Sequence, residues 1–213
     1  MNPSPQRPLA ILVHGMGRTP VSMALLALRL RRAGFDTALF GYFVTFEKLP
    51  GCVARLQRFI DTRCDSRPYV VMGHSLGGVL LRCALPRLVR RPAGCFLLAA
   101  PSRACELARR VARLWPYRLF TGEMGRLLAD EKFMAGVPIP DCPAWVYAGT
   151  GGPTSRFFLL GDEPNDGILR ISETQIAGVP TVCVPAMHTF FMNSRALARD
   201  LIGRAIAVVG RTS

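Results

Sequence analysis

A succession of six short apolar runs, each closed by glycine, proline or a polar turn, restricts the fold of this 213-residue chain more than any other feature. The runs are Leu9–Val13, Ala38–Phe43, Tyr69–Met72, Cys95–Ala100, Ala144–Ala148 and Thr181–Val184. Between them the periodicity is helical. Thr19-Pro20 offers an N-cap and a first-turn proline for a helix ending near Gly34, and Val53–Ile60 lies in a second helix. Gly78–Leu88 forms a third, and Ser194–Val208 closes the chain. Strands that are apolar throughout, rather than at every second position, belong to parallel sheets covered by helices on both faces. The sequence therefore predicts an α/β fold with a doubly wound, mainly parallel six-stranded sheet. In such sheets ligands bind beyond the carboxyl ends of the strands, so the residues just after each run are where function is expected.

Composition narrows the class further. Half the residues are hydrophobic and 19% are charged, which excludes a disordered chain, and the length predicts one domain over 1–213. No apolar run approaches the roughly 18 residues that span a bilayer. Leu9–Val13 is also shorter than a signal-peptide core of about 7 to 15 residues, which disfavours a secreted product. Seven cysteines, an odd count without any Cys-x-x-Cys pair, argue against zinc and dithiol sites. Cys83, Cys95 and Cys183 lie in apolar segments and read as core residues of a reducing, cytoplasmic compartment. The net charge of +13 comes from 25 arginines and two lysines against 14 acidic residues. These cations are scattered along the chain without aromatic interleaving, so no nucleic-acid partner is expected.

The third run leads into Gly73-His74-Ser75-Leu76-Gly77-Gly78. A serine on a tight strand-to-helix turn has a strained backbone, and Gly73 and Gly77 are needed where a side chain would collide with the adjoining strand and helix. Its hydroxyl is a weak nucleophile at neutral pH and needs a base, which in turn needs an orienting carboxylate. Of the three histidines, His14 and His74 already belong to strand-end motifs, where they read as positioning or packing residues. His188, after the last run, remains as the base. An acid between Ser75 and His188 in chain order is offered by Asp162, Glu163 and Asp166. Asp166 is preferred over Asp162 because Asn165-Asp166-Gly167 is a turn that presents a carboxylate from a fixed backbone. Backbone amides of Leu76 and of Met16, within His14-Gly15-Met16-Gly17, are candidate donors to an oxyanion.

These four segments, His-Gly-Met-Gly at 14–17, Gly-His-Ser-Leu-Gly-Gly at 73–78, Asn-Asp-Gly at 165–167 and His188, resemble a small single-domain lipase or esterase of the α/β-hydrolase superfamily. The resemblance covers most of the chain. It implies hydrolysis of a small-molecule or lipid ester through an acyl-enzyme, with no metal or organic cofactor. It also implies a cap between the fourth and fifth strands, here 102–140. An acyltransferase would need the same residues, and a binding protein could keep the fold without turnover, so both remain open alternatives.

Three further segments have competing readings. Ser102–Trp115 places Ala104, Leu107, Ala108, Val111, Leu114 and Trp115 on one helical face and Arg103, Arg109, Arg110 and Arg113 elsewhere. It reads first as a helix packed on the sheet and second as a lid in peripheral contact with an anionic membrane. Gly15-x-Gly17 lacks the third glycine and the acidic strand end of a dinucleotide site. Gly149-Thr150-Gly151-Gly152 lacks the ending of a phosphate loop and reads as a flexible connector.

Overall fold

The structure is a computed structural model that describes residues 6–64, 66–111, 115–156 and 160–211. Its first half runs β1 (Leu9–Val13), a 3-10 turn (Pro20–Met23), α1 (Ala24–Arg32), β2 (Asp36–Phe40), α2 (Leu49–Cys64), β3 (Tyr69–His74) and α3 (Leu76–Ala84). The second half runs β4 (Gly94–Leu98), α4 (Glu106–Val111), α5 (Trp115–Leu127), α6 (Glu131–Ala135), β5 (Ala144–Gly149), α7 (Ile171–Thr174), β6 (Thr181–Val184), a 3-10 segment (His188–Asn193) and α8 (Arg195–Val209).

All six strands pair in parallel, in the order β2-β1-β3-β4-β5-β6. The chain steps from β1 to β2, crosses back over β1 to β3 and then continues outward, so direction reverses between β1 and β3. A reversal of this kind opens a crevice at the carboxyl ends of those two strands. Side chains of β1 show the two-faced burial that the apolar runs predict. Leu9, Ile11 and Val13 enter the core under α2 and α3. Ala10 and Leu12 enter the opposite core, with Leu26 and Leu30 of α1 and Leu201 of α8.

The edge strands differ from the expectation for a physical reason. β2 occupies Asp36–Phe40 rather than Ala38–Phe43, and four of its five residues are half-buried. A strand with only one neighbour tolerates Asp36 and Thr37, which an all-apolar criterion passes over. Just beyond the strand Gly41 lies against Pro20, where a Cβ would stand 2.9 Å from Pro20 Cγ. Tyr42 then turns inward and stacks on His14. Cys183, expected in the core, is exposed on the other edge strand, β6, while Cys95 is buried and Cys83 half-buried. Thr19 precedes the 3-10 turn in extended conformation but its side chain makes no capping bond. The single helix expected over 102–115 is instead α4 and the start of α5, and 112–114 lie outside the described residues.

Candidate active site

Ser75 sits between the last residue of β3 and the first of α3 with φ 52° and ψ −123°, a left-handed backbone that costs a non-glycine residue of order 1–3 kcal/mol. The turn persists because its surroundings hold it. Ser75 N–H donates to Leu98 O at 2.9 Å, and Gly78 N–H donates to Ser75 O at 2.9 Å. A Cβ on Gly73 would stand 2.6 Å from Gly77 O and Gly78 N, and one on Gly77 would overlap the Val13 and His14 carbonyls. The strand-to-helix packing that the motif demands is thus present at both glycines. Ala99, just after β4, is the second non-glycine residue at positive φ, 44°, and the sequence has no signal for it. Its neighbour Leu98 supplies the carbonyl that holds Ser75.

Asp166 and His188 are brought together. His188 Nδ1–H donates to Asp166 Oδ2 at 2.7 Å, and His188 N–H donates to Asp166 O at 2.8 Å. The other carboxylate oxygen, Oδ1, accepts from Ile168 N–H at 2.9 Å and Leu169 N–H at 2.7 Å. Asp166 is 1% exposed, so its charge is held by protein donors rather than by water. Asp162 is exposed, and Glu163 is directed instead to Ser172 N–H, at 2.8 Å. With Nδ1–H committed to Asp166, the basic nitrogen of neutral His188 is Nε2. Among the described hydrogen bonds none joins Ser75 Oγ to His188.

His74 links the two halves. Its Nε2–H donates to the His188 carbonyl at 3.1 Å, and the two rings lie 4.8 Å apart between centroids. His188 leaves the edge strand β6, about 14 Å from β3 at three strand spacings, and this bond ties its backbone to the residue before Ser75. Burial, with the neighbouring His188 second, holds the His74 pKa well below the usual 6.5, so the ring is neutral. His14 is satisfied at both ring nitrogens. Nδ1–H donates to Gly15 O at 2.9 Å, and Nε2 accepts from Tyr42 N–H at 3.3 Å. Its pKa is also lowered by burial, partly opposed by the Gly15 bond. His74 Nδ1, by contrast, is buried without a hydrogen-bond partner among the described residues.

Gly15 approaches the elbow closely: a Cβ there would stand 2.7 Å from His74 Nδ1 and 3.1 Å from Ser75 Cβ. Met16 and Ser75 share the lining of a cavity of about 300 Å³. Leu76 opens α3, where an amide has no intrahelical acceptor, and Met16 follows β1 on the cavity wall. Apart from Ser75 the cavity wall is apolar, with Pro101, Leu107, Ala108, Val111, Leu128, Ile168 and Leu169, and it includes Cys105. Burial, with Glu173 and Asp166 adding to it, pushes the Cys105 thiol up to about 12, so it carries no thiolate at neutral pH. Leu107, Ala108 and Val111 of α4 are thus turned into the cavity.

Three supports were not foreseen from the sequence. Asn165, fully buried, donates from Nδ2 to Pro153 O and Glu163 O, and accepts Gly167 N–H at 2.9 Å, which shapes the turn that carries Asp166. The segment Gly149–Gly152 is no flexible connector. Gly151 N–H donates to Ala186 O and Gly152 N–H to Asn165 O, and a Cβ on Gly149 would stand 2.5 Å from Asp166 Cβ. Three glycines, at 149, 151 and 152, let the Asp166 and His188 loops pack on one another. Buried Arg82 donates to the carbonyls of Pro138, Val137 and Pro101, tying the end of 102–140 to α3. Among the described residues no group of His, Cys, Asp and Glu is placed to hold a metal ion.

The mature form of a Bacillus licheniformis lipase superposes with a TM-score of 0.67 at 14% identity, covering 96% of this chain and 94% of that one. A metagenomic carboxyl esterase gives 0.72 at 19% identity, over 99% of this chain and 77% of that one. A monoacylglycerol lipase of Paleococcus ferrophilus gives 0.63 at 15% identity, over 96% of both chains. No protein-family model and no curated protein matches the sequence. The fold is that of the α/β-hydrolases, with an all-parallel six-stranded sheet and helices on both faces.

Proposed function

We propose that the protein is a serine hydrolase that cleaves carboxylic esters. Ser75 Oγ attacks the ester carbonyl as His188 Nε2 takes its proton, and the resulting oxyanion is held by the Met16 and Leu76 amides. Collapse expels the alcohol, protonated by His188, and leaves an acyl group on Ser75. Water, deprotonated by the same nitrogen, then releases the acid and restores the serine. Asp166 keeps the proton of His188 on Nδ1 and stabilises the imidazolium that forms in each step. The observation that carries this reading is the 2.7 Å bond from His188 Nδ1 to buried Asp166, in a fold where Ser75 occupies the strained turn at the switch point.

The cavity beside Ser75 supports an apolar acyl group as the part recognised. Its volume of about 300 Å³ is at the small end of ligand pockets. The helices α4 to α6, between β4 and β5, act in this reading as a cap over it. The lipases and esterases among the structural neighbours agree with an ester as substrate. The test is intact-mass detection of a fluorophosphonate adduct on the wild type and on Ser75→Ala. One adduct on the first and none on the second is expected, with turnover of nitrophenyl esters lost in the variant. Absence of an adduct on folded wild type would overturn the reading in favour of a binding protein.

A further inference from the structure

Two charged side chains are buried where the segment 102–140 leaves and rejoins the body of the fold, and neither has a part in the triad. Glu173 of α7 is 4% exposed and Arg82 of α3 is 3% exposed. Among the described residues neither has an ion-pair partner. An ion taken out of water is costly unless hydrogen bonds answer it, and here backbone groups do so. Glu173 Oε1 accepts Glu106 N–H at 2.6 Å, and Glu173 O accepts Ser102 N–H at 2.7 Å and Ser102 Oγ–H at 3.0 Å. Its other carboxylate oxygen, Oε2, accepts Arg170 N–H at 2.8 Å, where the loop of Asp166 ends. Arg82 reaches both stems of the segment. Its Nη1–H donates to Pro101 O at 3.5 Å, while Nη2–H donates to Val137 O and Nε–H to Pro138 O, each at 2.8 Å.

These bonds bracket the cavity beside Ser75. Pro101, which lines it, carries one of the Arg82 bonds; Cys105, which also lines it, precedes Glu106; and Leu169, on the facing wall, precedes Arg170. Cys105 N–H in turn donates to Leu128 O at 3.0 Å, and Leu128 is part of the same lining. Glu173 thus stands between two walls, one made by Leu107, Ala108 and Val111 of α4 and the other by Ile168 and Leu169. Because α4 begins at Glu106, a shift of that residue carries the whole first wall with it.

We propose that Glu173 and Arg82 are positioning residues that clamp the segment 102–140 to the loop of Asp166 and to the helix that Ser75 opens, and thereby set how much of an acyl chain the cavity accepts. Hydrogen bonds to an ion are roughly twice as strong as those between neutral groups, which suits ties to backbone that no sheet ladder holds. The effect on chain length rests on the hydrolase reading; the clamp itself does not.

Glu173→Gln tests it, since the amide keeps the shape of the side chain but turns one acceptor into a donor, so that Glu106 N–H or Arg170 N–H loses its partner. In that variant kcat/KM for nitrophenyl hexanoate is expected to fall about tenfold through KM, the worth of about two buried methylene groups. Nitrophenyl acetate, whose acyl group adds only a methyl to the carbonyl, should stay within about twofold of wild type. A loss shared equally by the two esters would show a merely structural part for Glu173 and overturn the proposal, as would an unchanged ratio between them. Ser102→Ala removes one bond of the clamp and leaves both buried ions in place; it should shift the ratio the same way by about twofold, and it carries the test if Glu173→Gln does not fold. Hydrogen exchange of the whole chain, read by mass spectrometry, needs no turnover. Peptides that hold the amides of Ser102, Cys105 and Glu106 should exchange slowly in wild type and at least about tenfold faster in Glu173→Gln, with those of β1 unchanged. Fast exchange there in wild type would sink the clamp whatever the chemistry at Ser75. Fluorophosphonate labelling keeps the two readings apart: no label on Ser75 removes the hydrolase and leaves the exchange rates to decide the clamp, while a labelled enzyme with fast exchange at 102–106 keeps the hydrolase and removes the clamp.

Discussion

Asp166 is surrounded by donors on every side that matters: one oxygen meets two backbone amides, the other meets His188 Nδ1, and its own carbonyl takes the His188 amide. A residue so placed fixes both the orientation of the imidazole and the nitrogen that carries the proton. Asp166→Asn is expected to lower turnover by ~10⁴, because an amide presents a donor where an acceptor is required. Asp162→Asn, at an exposed position, should stay within about twofold of wild type under the same nitrophenyl ester assay. The reverse ranking would move the acid to Asp162. The Asn-Asp-Gly turn made Asp166 the carboxylate that the sequence preferred, and the structure sets it against His188. The scarcity of histidine made His188 legible too. What His74 does was not, since a bond from one histidine ring to the backbone of another 114 residues away leaves no trace in local pattern.

Among the elements, the strand ends that build the site are packed more tightly than composition suggests. Gly152 is the clearest case, because a Cβ there would overlap Asn165 Oδ1, Gly167 N and the Asp166 carbonyl carbon. These are backbone atoms and a buried, fully bonded amide, which cannot swing aside. Gly152→Ala is therefore expected to destabilise the fold by about 1–3 kcal/mol and to lower ester turnover more than that loss alone explains. The urea midpoint measured beside the turnover rate of the folded fraction checks both. Central strands were legible because burial on both faces leaves them apolar without interruption, as in β1, β3 and β4. Edge strand β2 was misplaced by two to three residues, since half-exposure admits Asp36 and Thr37. The glycine run at 149–152 was misread because a flexible linker and a close contact call for the same small residue. Only the presence of Asn165 and Ala186 against it distinguishes the two.

Taken as a whole, the molecule buries two neutral histidines, His14 and His74, and this sets a pH dependence of stability. Both have pKa values lowered by burial in the folded state, so below about 6.5 the unfolded chain binds protons that the folded chain refuses. Stability is complete above that value and falls as the pH drops beneath it, with each histidine contributing up to about 1.4 kcal/mol per pH unit. Urea unfolding between pH 7.5 and 5, above the range where ordinary carboxylates titrate, is the measurement. A midpoint that does not move over this window would mean that the two rings accept protons in the fold. The positive charge is a second property of the whole. Its total is plain in the composition, but composition is silent on which arginines are answered by carboxylates. Arg55, Arg109 and Arg204 are paired, while Arg18, Arg103 and Arg126 have no ion pair among the described residues.

By itself, the sequence determined the layered α/β class, the number of strands and the residues worth suspecting. Each of those rests on local physics: uninterrupted apolar runs, the φ freedom of glycine around a strained serine, and turn chemistry at Asn165-Asp166-Gly167. Only the tertiary structure decided that Asp166 meets His188, that His74 bonds to the His188 carbonyl, and which way the apolar face of α4 turns. These are contacts between residues tens to more than a hundred positions apart, set by the order in which six parallel strands assemble, and no periodicity along the chain encodes that order.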